Sequence, residues 1–161
     1  MTEKEFNDCV NLYADNVFSF IVKNLKNEKD ARDVVQESFE KMWRNREKVE
    51  NERSKSYLFN VAYHQMIDLI RKNKRVKLQE DFSSSLQTTR EPQGEIKKIL
   101  NEALNRLSET QRSLVLLKDY EGYSYEEISV ITSLSISQVK VYLHRARIQL
   151  KNYLVKPENV I

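Results

Sequence analysis

The chain has 161 residues, which is enough for one ordinary domain or two small ones. It contains only two glycines and two prolines, so the turn residues that a many-stranded sheet requires are missing, and the composition predicts an all-α fold. Charged residues make up 32% of the chain and the formal net charge is +3, an excess too small to identify a partner by itself.

The first predicted helix carries an apolar stripe from Phe6 to Ile21 at three- and four-residue spacing. Cys9 falls on this stripe and is predicted to be a small core residue rather than a redox switch. As the only cysteine it excludes an internal disulfide, which fits a reducing, cytoplasmic location. The acidic start of the chain does not resemble a signal peptide, and no run of about eighteen apolar residues occurs, so no direct membrane insertion is expected.

A second helix is predicted to begin near Asp30, and a third to run from about Tyr57 to Arg75. The outward face of the third helix combines aromatic and basic groups. It contains Asn60, Tyr63, His64, Ile67, Arg71 and Lys74, with Tyr57 and Arg75 at its margin. Such a face is typical either of a solvated helix end, whose cations complement the helix dipole, or of a nucleic-acid surface. The face alone does not decide between these readings.

A serine- and threonine-rich stretch without apolar periodicity, closed by Pro92 and Gly94, marks the main boundary. We interpret residues 77–94 as a flexible linker between two small helical domains. The predicted domains are residues 1–76 and residues 95–161.

The second half contains the S/T-x-x-E/Q capping box three times. The pairs are Ser108 with Gln111, Ser124 with Glu127, and Ser135 with Gln138. They predict helices that begin near residues 109, 125 and 136, after an earlier helix over about 95–107.

The stretch SYEEISVITSLSISQVKVYLHRAR combines a short helix, a tight turn and a longer helix, the pattern of a helix-turn-helix unit. The outward side of the longer helix presents Ser137, Gln138, Val141, Tyr142, His144 and Arg145, flanked by Lys140 and Arg147. Arg145 suits guanine, Gln138 suits adenine, and Ser137 suits a base edge or a phosphate. Acidic residues precede the turn and cations follow it, so DNA reading is favoured over a helical hairpin with a solvated face.

Two blocks of the chain resemble a known family. The segment ALNRLSETQRSLVLLKDYEGYSYEEISVITSLSISQVKVYLHRAR resembles the fourth conserved region of extracytoplasmic function sigma factors, the smallest members of the sigma-70 family. DARDVVQESFEKMWRN and SYLFNVAYHQMIDLIRKNKR resemble the second conserved region of the same group. The resemblance implies a transcription initiation factor that binds core RNA polymerase and promoter DNA and is restrained by an anti-sigma factor.

The resemblance also implies roles for individual residues. Polymerase docking falls on Asp33, Gln36, Glu37, Glu40, Met42 and Trp43, with Phe39 interpreted as core. By the same resemblance, residues 49–56 form a loop that captures a flipped base of the minus-ten element. This loop is expected to lie next to the outward face of the third helix. With that face the minus-ten set comprises Asn51, Arg53, Lys55, Tyr57, Asn60, Tyr63, His64, Arg71 and Arg75. The outward residues of the last helix read the minus-thirty-five element as duplex.

The chain departs from the family pattern in places. Ser133 stands where relatives have a turn glycine, so it must accept the turn geometry at some strain, or the turn differs. Asn60, Tyr63, His64 and Tyr142 also differ, so base preferences cannot be copied from a relative. The rival hypotheses are an autonomous helix-turn-helix regulator and an interaction protein that sequesters a partner. No nucleophile motif, phosphate loop or metal-ligand spacing occurs, so we expect neither an enzyme nor a cofactor.

Overall fold

A computed structural model describes residues 1–80 and 94–155, with side chains for residues 1–76 and 94–155. Contacts divide the chain into two compact units, the first containing residues 1–80 and the second most of residues 94–155. The regular elements of these ranges are helices, which confirms the predicted all-α fold with two small helical domains.

The first unit is a bundle of three helices that pack against one another in pairs. They are α1 (Glu3–Leu25), α2 (Glu28–Arg44) and α3 (Ser54–Glu80), with a short 3₁₀ turn over Asn51–Arg53 before α3. The core includes Val17, Phe20, Ile21, Ala31, Val34, Leu58, Phe59, Ala62 and Met66. Cys9 is buried among these helices, which confirms its predicted role as a core residue.

Side-chain caps fix where the first two helices begin. Thr2 and Glu5 form a reciprocal capping box at the start of α1, and Asn27 accepts a hydrogen bond from the Asp30 amide at the start of α2. α1 ends at Leu25, and its C-cap Lys26 has a φ of 59°, in the left-handed region. The chain therefore turns into α2 almost without a loop.

α3 differs from the sequence prediction in its length and in its buried side. It begins at Ser54 instead of Tyr57 and is still helical at Glu80, past the predicted end near Arg75. Tyr63, which the pattern placed on the outward face, is only 6% exposed, and Phe59 is fully buried. Because α3 packs against both α1 and α2, its buried arc is wider than a single apolar stripe indicates.

The second unit contains α4 (Glu95–Asn105), α5 (Glu109–Val115), α7 (Ile136–Leu154) and most of α6 (Tyr125–Thr132), whose last three residues group with the first unit. The three capping boxes form as predicted, at Ser108, Ser124 and Ser135. α4 and α5 both pack against α7, whose Val139, Leu143 and Ala146 are buried.

A π-helical segment over Leu116–Tyr120 continues α5, and the sequence did not predict it. The Glu121 amide donates to the Leu116 carbonyl at 2.9 Å, and the Tyr123 amide donates to the Leu117 carbonyl at 3.0 Å. Gly122 follows with a φ of 77°, a conformation that favours glycine. This wider turn leads into the capped start of α6.

The predicted linker, residues 77–94, lies mostly outside the described residues. Within the ranges that the structure describes, no helix is long and apolar enough to cross a membrane. In the same ranges, no group of three or more His, Cys, Asp or Glu side chains is arranged to hold a metal ion.

Candidate nucleic-acid and protein interfaces

The turn between α6 and α7 adopts the glycine-like geometry at Ser133. Its φ of 64° and ψ of 16° are left-handed, and its amide donates to the Ser129 carbonyl at 2.9 Å. The Ser129 hydroxyl donates to the Leu134 carbonyl at 2.6 Å, and Ser135 then caps α7. The expectation that Ser133 accepts the turn geometry is thus confirmed, and local hydrogen bonds hold the turn.

α7 presents a polar and basic face opposite its buried side. Ser137, Gln138, Lys140, Val141, His144, Arg145 and Arg147 are all exposed, whereas Tyr142 is half-buried. α7 contains no acidic residue over its whole length. Ile148 is 45% exposed and lies seven residues after Val141, which is 46% exposed. That spacing places both apolar side chains on one line along the helix, and the same spacing is visible in the sequence.

One flank of α7 is attached to the rest of its own unit. The Arg147 guanidinium donates to both carboxylate oxygens of Asp119, with distances of 2.6 and 3.3 Å. The hydrogen bond to Asp119 raises the pKa of Arg147. Lys140 lies over the Tyr125 ring, its ammonium 5.3 Å from the ring centroid. Arg147 was predicted as a DNA contact, and the sequence held no signal of this pairing.

A buried arginine joins α4 and α5, the two helices that pack against α7. Arg112 is 6% exposed, and its guanidinium donates to the carbonyls of Leu104 and Leu107 at 3.0 and 2.9 Å. Burial lowers the pKa of Arg112. The cation lies at the carboxyl end of α4, where the helix dipole favours positive charge. It therefore connects α5 to the last turn of α4.

In the first unit, the exposed side of α2 forms an acidic ridge. Asp33, Gln36, Glu37 and Glu40 are all exposed, and the Gln36 amide donates to the Glu40 carboxylate at 3.3 Å. These four predicted docking residues therefore share one accessible surface. Met42 does not belong to it, because its side chain is fully buried. The docking prediction is wrong for Met42, which supports the ridge from the core.

An apolar groove of about 500 Å³ runs along the α1 side of this ridge. It is lined by Phe6, Val10, Phe39 and Trp43, with Gln36, Glu40 and Arg44 at its rim. Phe39 is half-buried and lines the groove, so its interpretation as a core residue holds only in part. The predicted docking residue Trp43 is also half-buried in this groove.

The Trp43 indole is fixed on two sides. The Phe6 ring lies edge-on with its centroid 4.9 Å away, and the Arg46 guanidinium covers the indole at 4.0 Å. Arg46 also donates to the Trp43 carbonyl at 2.9 Å. Sequence reasoning missed both supporting residues. The indole is therefore an ordered part of the groove.

A second groove, on the α3 side of the ridge, is acidic. Its lining contains four carboxylates, one cation, one amide and two apolar side chains: Asp30, Asp33, Glu37, Asp68, Lys72, Gln65, Val34 and Leu69. Carboxylates around an apolar floor suit a partner surface that alternates basic and apolar side chains.

The predicted minus-ten residues lie in the 3₁₀ turn and on α3. Asn51, Arg53, Arg71 and Arg75 are exposed, and Lys55, Tyr57, Asn60 and His64 are half-buried. Lys55 belongs to the first turn of α3 rather than to a loop, and its ammonium lies 5.5 Å from the Tyr13 ring centroid. The His64 ring packs edge-on against Tyr63, with centroids 5.3 Å apart. Tyr63 is therefore a buried support and not an exposed stacking ring.

Comparison with protein families gives two matches in the same order along the chain. Residues 9–76 match the model of sigma-70 region 2, and residues 97–150 match the model of sigma-70 region 4. The first match covers α2 and most of α1 and α3, and the second extends from α4 into α7.

Characterised relatives belong to the same class. The chain is 30% identical over 147 residues to RNA polymerase sigma factor SigV of Bacillus subtilis, covering 88% of this chain and 89% of that protein. It is also 30% identical over 145 residues to ECF RNA polymerase sigma factor SigM of Bacillus subtilis, covering 87% of this chain and 89% of SigM. Against ECF sigma factor SigE of Mycolicibacterium smegmatis it is 27% identical over 159 residues, but spans 62% of that protein.

A solved structure shows the same fold. The sigma factor RpoE of Bartonella quintana, crystallised with the anti-sigma factor NepR, matches with a TM-score of 0.80 and 26% identity. The match covers 94% of this chain and 97% of that one. From these matches we conclude that the chain belongs to the sigma-70 family of RNA polymerase sigma factors, in the extracytoplasmic function group.

Proposed function

We propose that the chain is a transcription initiation factor that binds core RNA polymerase and directs it to specific promoters. Residues 1–76 dock on the polymerase and open the minus-ten element, and residues 95–161 read the minus-thirty-five element as duplex. The observation that carries the proposal is the exposed face of α7. α7 contains no acidic residue and directly follows the turn of the helix-turn-helix unit, where Ser135 caps its start.

At the minus-thirty-five element, α7 lies in the major groove with its amino-terminal half against the base edges. Arg145 is exposed and has the fork geometry that matches guanine, and Gln138 and Ser137 supply the polar contacts nearer the helix start. Val141, exposed at the centre of the face, suits a thymine methyl group. Lys140 and His144 complete the proposed surface.

At the minus-ten element, the exposed 3₁₀ turn and the first half of α3 surround a flipped base. Asn51, Arg53 and Lys55 contact the backbone and the base edge, and Tyr57 and His64, whose rings are half-buried, stack on bases. Arg71 and Arg75, on the exposed end of α3, bind phosphates of the melted strand. Tyr63 contributes from beneath, through its contact with His64.

Polymerase docking uses the acidic ridge of α2, with Asp33, Gln36, Glu37 and Glu40 facing a basic surface. Trp43 serves as the aromatic anchor, because it is ordered by its neighbours and still reachable from the groove.

The proposed partners also include an anti-sigma factor, since the related RpoE was crystallised with one. The same α2 ridge is the surface that such a factor must cover to prevent docking. We place the action of the protein in the cytoplasm, where polymerase and chromosome are found, and assign it no catalytic activity.

Run-off transcription on a genomic fragment library tests the proposal. The chain is expected to yield discrete transcripts only when core polymerase is added. Glu37→Lys should abolish them by reversing a charge on the ridge, whereas Glu47→Lys, also an exposed acid in the first unit, should not. Specific retardation of duplex DNA by the chain alone, without any complex with core polymerase, would instead identify an autonomous helix-turn-helix regulator.

A further inference from the structure

The pairing of Arg147 with Asp119 joins two parts of the second unit that are 28 residues apart. The Nη2–Oδ1 distance is 2.6 Å and the Nε–Oδ2 distance is 3.3 Å, so the guanidinium uses two of its donors on one carboxylate. Both side chains are a little less than half exposed, at 45% and 42%. Asp119 lies in the π-helical segment, and Arg147 lies in the middle of α7.

Lys140 precedes Arg147 by seven residues and therefore lies on the same flank of α7. Its ammonium lies over the ring of Tyr125, the first residue of α6. Lys118, in the π-helical segment, covers the same ring at 4.6 Å and donates to the Tyr123 carbonyl at 3.2 Å. Arg147 and Lys140 on this flank of α7 thus contact the π-helical segment and the start of α6, respectively.

We infer that Asp119 is a positioning residue for minus-thirty-five recognition, acting through Arg147, and that Arg147 is not itself a phosphate contact. The inference rests on the proposed reading of DNA by α7. Successive side chains of a helix are separated by about 100°, so a modest rotation of α7 about its axis redirects Val141 and Arg145 relative to the base edges. An ion pair on the flank of α7 opposes that rotation.

The pairing also explains why an acid is tolerated beside a DNA-reading helix. An unpaired Asp119 would repel the phosphates that approach α7, whereas a carboxylate held by a guanidinium presents little net charge. The pair therefore orients the helix without adding to the attraction of DNA.

Two double variants that keep the net charge test the inference. They are Asp119→Ala with Arg147→Ala, and the exchange Asp119→Arg with Arg147→Asp. Each is reconstituted as full chain with core polymerase. The unmodified holoenzyme first selects a duplex from a randomised pool. The affinity of each variant holoenzyme is then measured over a salt series, both for this duplex and for the same duplex with a scrambled minus-thirty-five element.

For the double alanine variant we expect the ratio of specific to scrambled affinity to fall about twofold to fivefold, the range typical of an exposed ion pair. The dependence of log affinity on log salt should not change, because no phosphate contact is lost. The exchange variant should recover part of the ratio. An equivalent double alanine variant of the exposed Glu28–Arg32 pair on α2 is the control and should leave both quantities unchanged.

Three results would overturn the inference. One is a salt slope reduced by about 0.9 in the double alanine variant, which is the loss of one phosphate contact to B-DNA. Another is an exchange variant that binds more weakly than the double alanine variant, since an acid at position 147 would then face DNA. The third is no change in the specificity ratio in either variant. If the unmodified holoenzyme selects no sequence at all, the proposed function itself fails, a result distinct from these.

Discussion

Replacing Arg112 with methionine should unfold the second unit more easily and leave the first unit unchanged. Arg112 is 6% exposed, and its guanidinium donates to the carbonyls of Leu104 and Leu107 at 3.0 and 2.9 Å, with a longer contact of 3.5 Å to the Asn105 carbonyl. Methionine has a similar reach and flexibility but offers no donor. The substitution thus removes the connection between α5 and the end of α4 with little change in packed volume.

The magnitude follows from two opposing effects. Each short hydrogen bond from a charged donor contributes about 1.5–3 kcal/mol, and the Arg112 guanidinium makes two of them. Burial of the charge opposes this stabilisation, as the lowered pKa of Arg112 indicates. We therefore expect the free energy of unfolding of the second unit to fall by about 2–4 kcal/mol. Arg112→Lys keeps the charge without the fork and should lose part of that amount.

Urea unfolding measures the effect separately in each unit. The chain has one tryptophan, Trp43, so its emission follows the first unit, whereas circular dichroism follows the helices of both. The variant should lose part of its helical signal at lower urea, with the emission midpoint unchanged. Lys98→Met, on the exposed side of α4, is the matched control. The reasoning is refuted if both variants unfold alike, or if the emission midpoint shifts as far as the helical signal.

Three further predictions concern single residues. Arg145→Ala should weaken holoenzyme binding to promoter DNA by about 1–3 kcal/mol in filter binding, with polymerase binding unchanged in gel filtration. Loss of both DNA binding and polymerase binding would count against a separate reading domain. Ser133→Gly should raise the free energy of unfolding in urea by up to about 1 kcal/mol, because glycine accepts a φ of 64° without strain, and Ser133→Ala should give no such gain. Burial raises the pKa of the Cys9 thiol and so favours its neutral form in the folded chain. A thiol reagent should therefore label Cys9 only after unfolding. Rapid labelling of the native protein would contradict the burial of Cys9.

The helix starts of the second half could be predicted to the residue. Ser124 and Glu127 form their capping box within a single turn, so the residues that determine the helix start lie next to each other in the sequence. The box at Thr2 and Glu5 carries the same signal. Helix ends were less predictable. The π-helical segment after α5 contains the buried residues Leu116 and Leu117, and no local sequence pattern predicts it.

The faces of the helices were predictable, but the limits of those faces were not. Spacing correctly placed Gln138 and Arg145 on the exposed side of α7. It failed for Tyr63, because helical periodicity gives the direction of the buried side and not its width. The width is set by how many helices pack around α3.

The sequence by itself therefore determined the helical class, the capped helix starts of the second half, the helix-turn-helix and the family, since each depends on residues within a few turns of one another. Only the tertiary structure showed that Arg147 is held by Asp119, that Arg112 is buried beneath the carboxyl end of α4, and that Trp43 lies between Phe6 and Arg46. The ion pair of Arg147, the burial of Arg112 and the ring contacts of Trp43 all depend on residues that are close in space but come from other parts of the chain. The composition of each proposed interface is thus encoded locally, and its orientation is set by the packing of the helices.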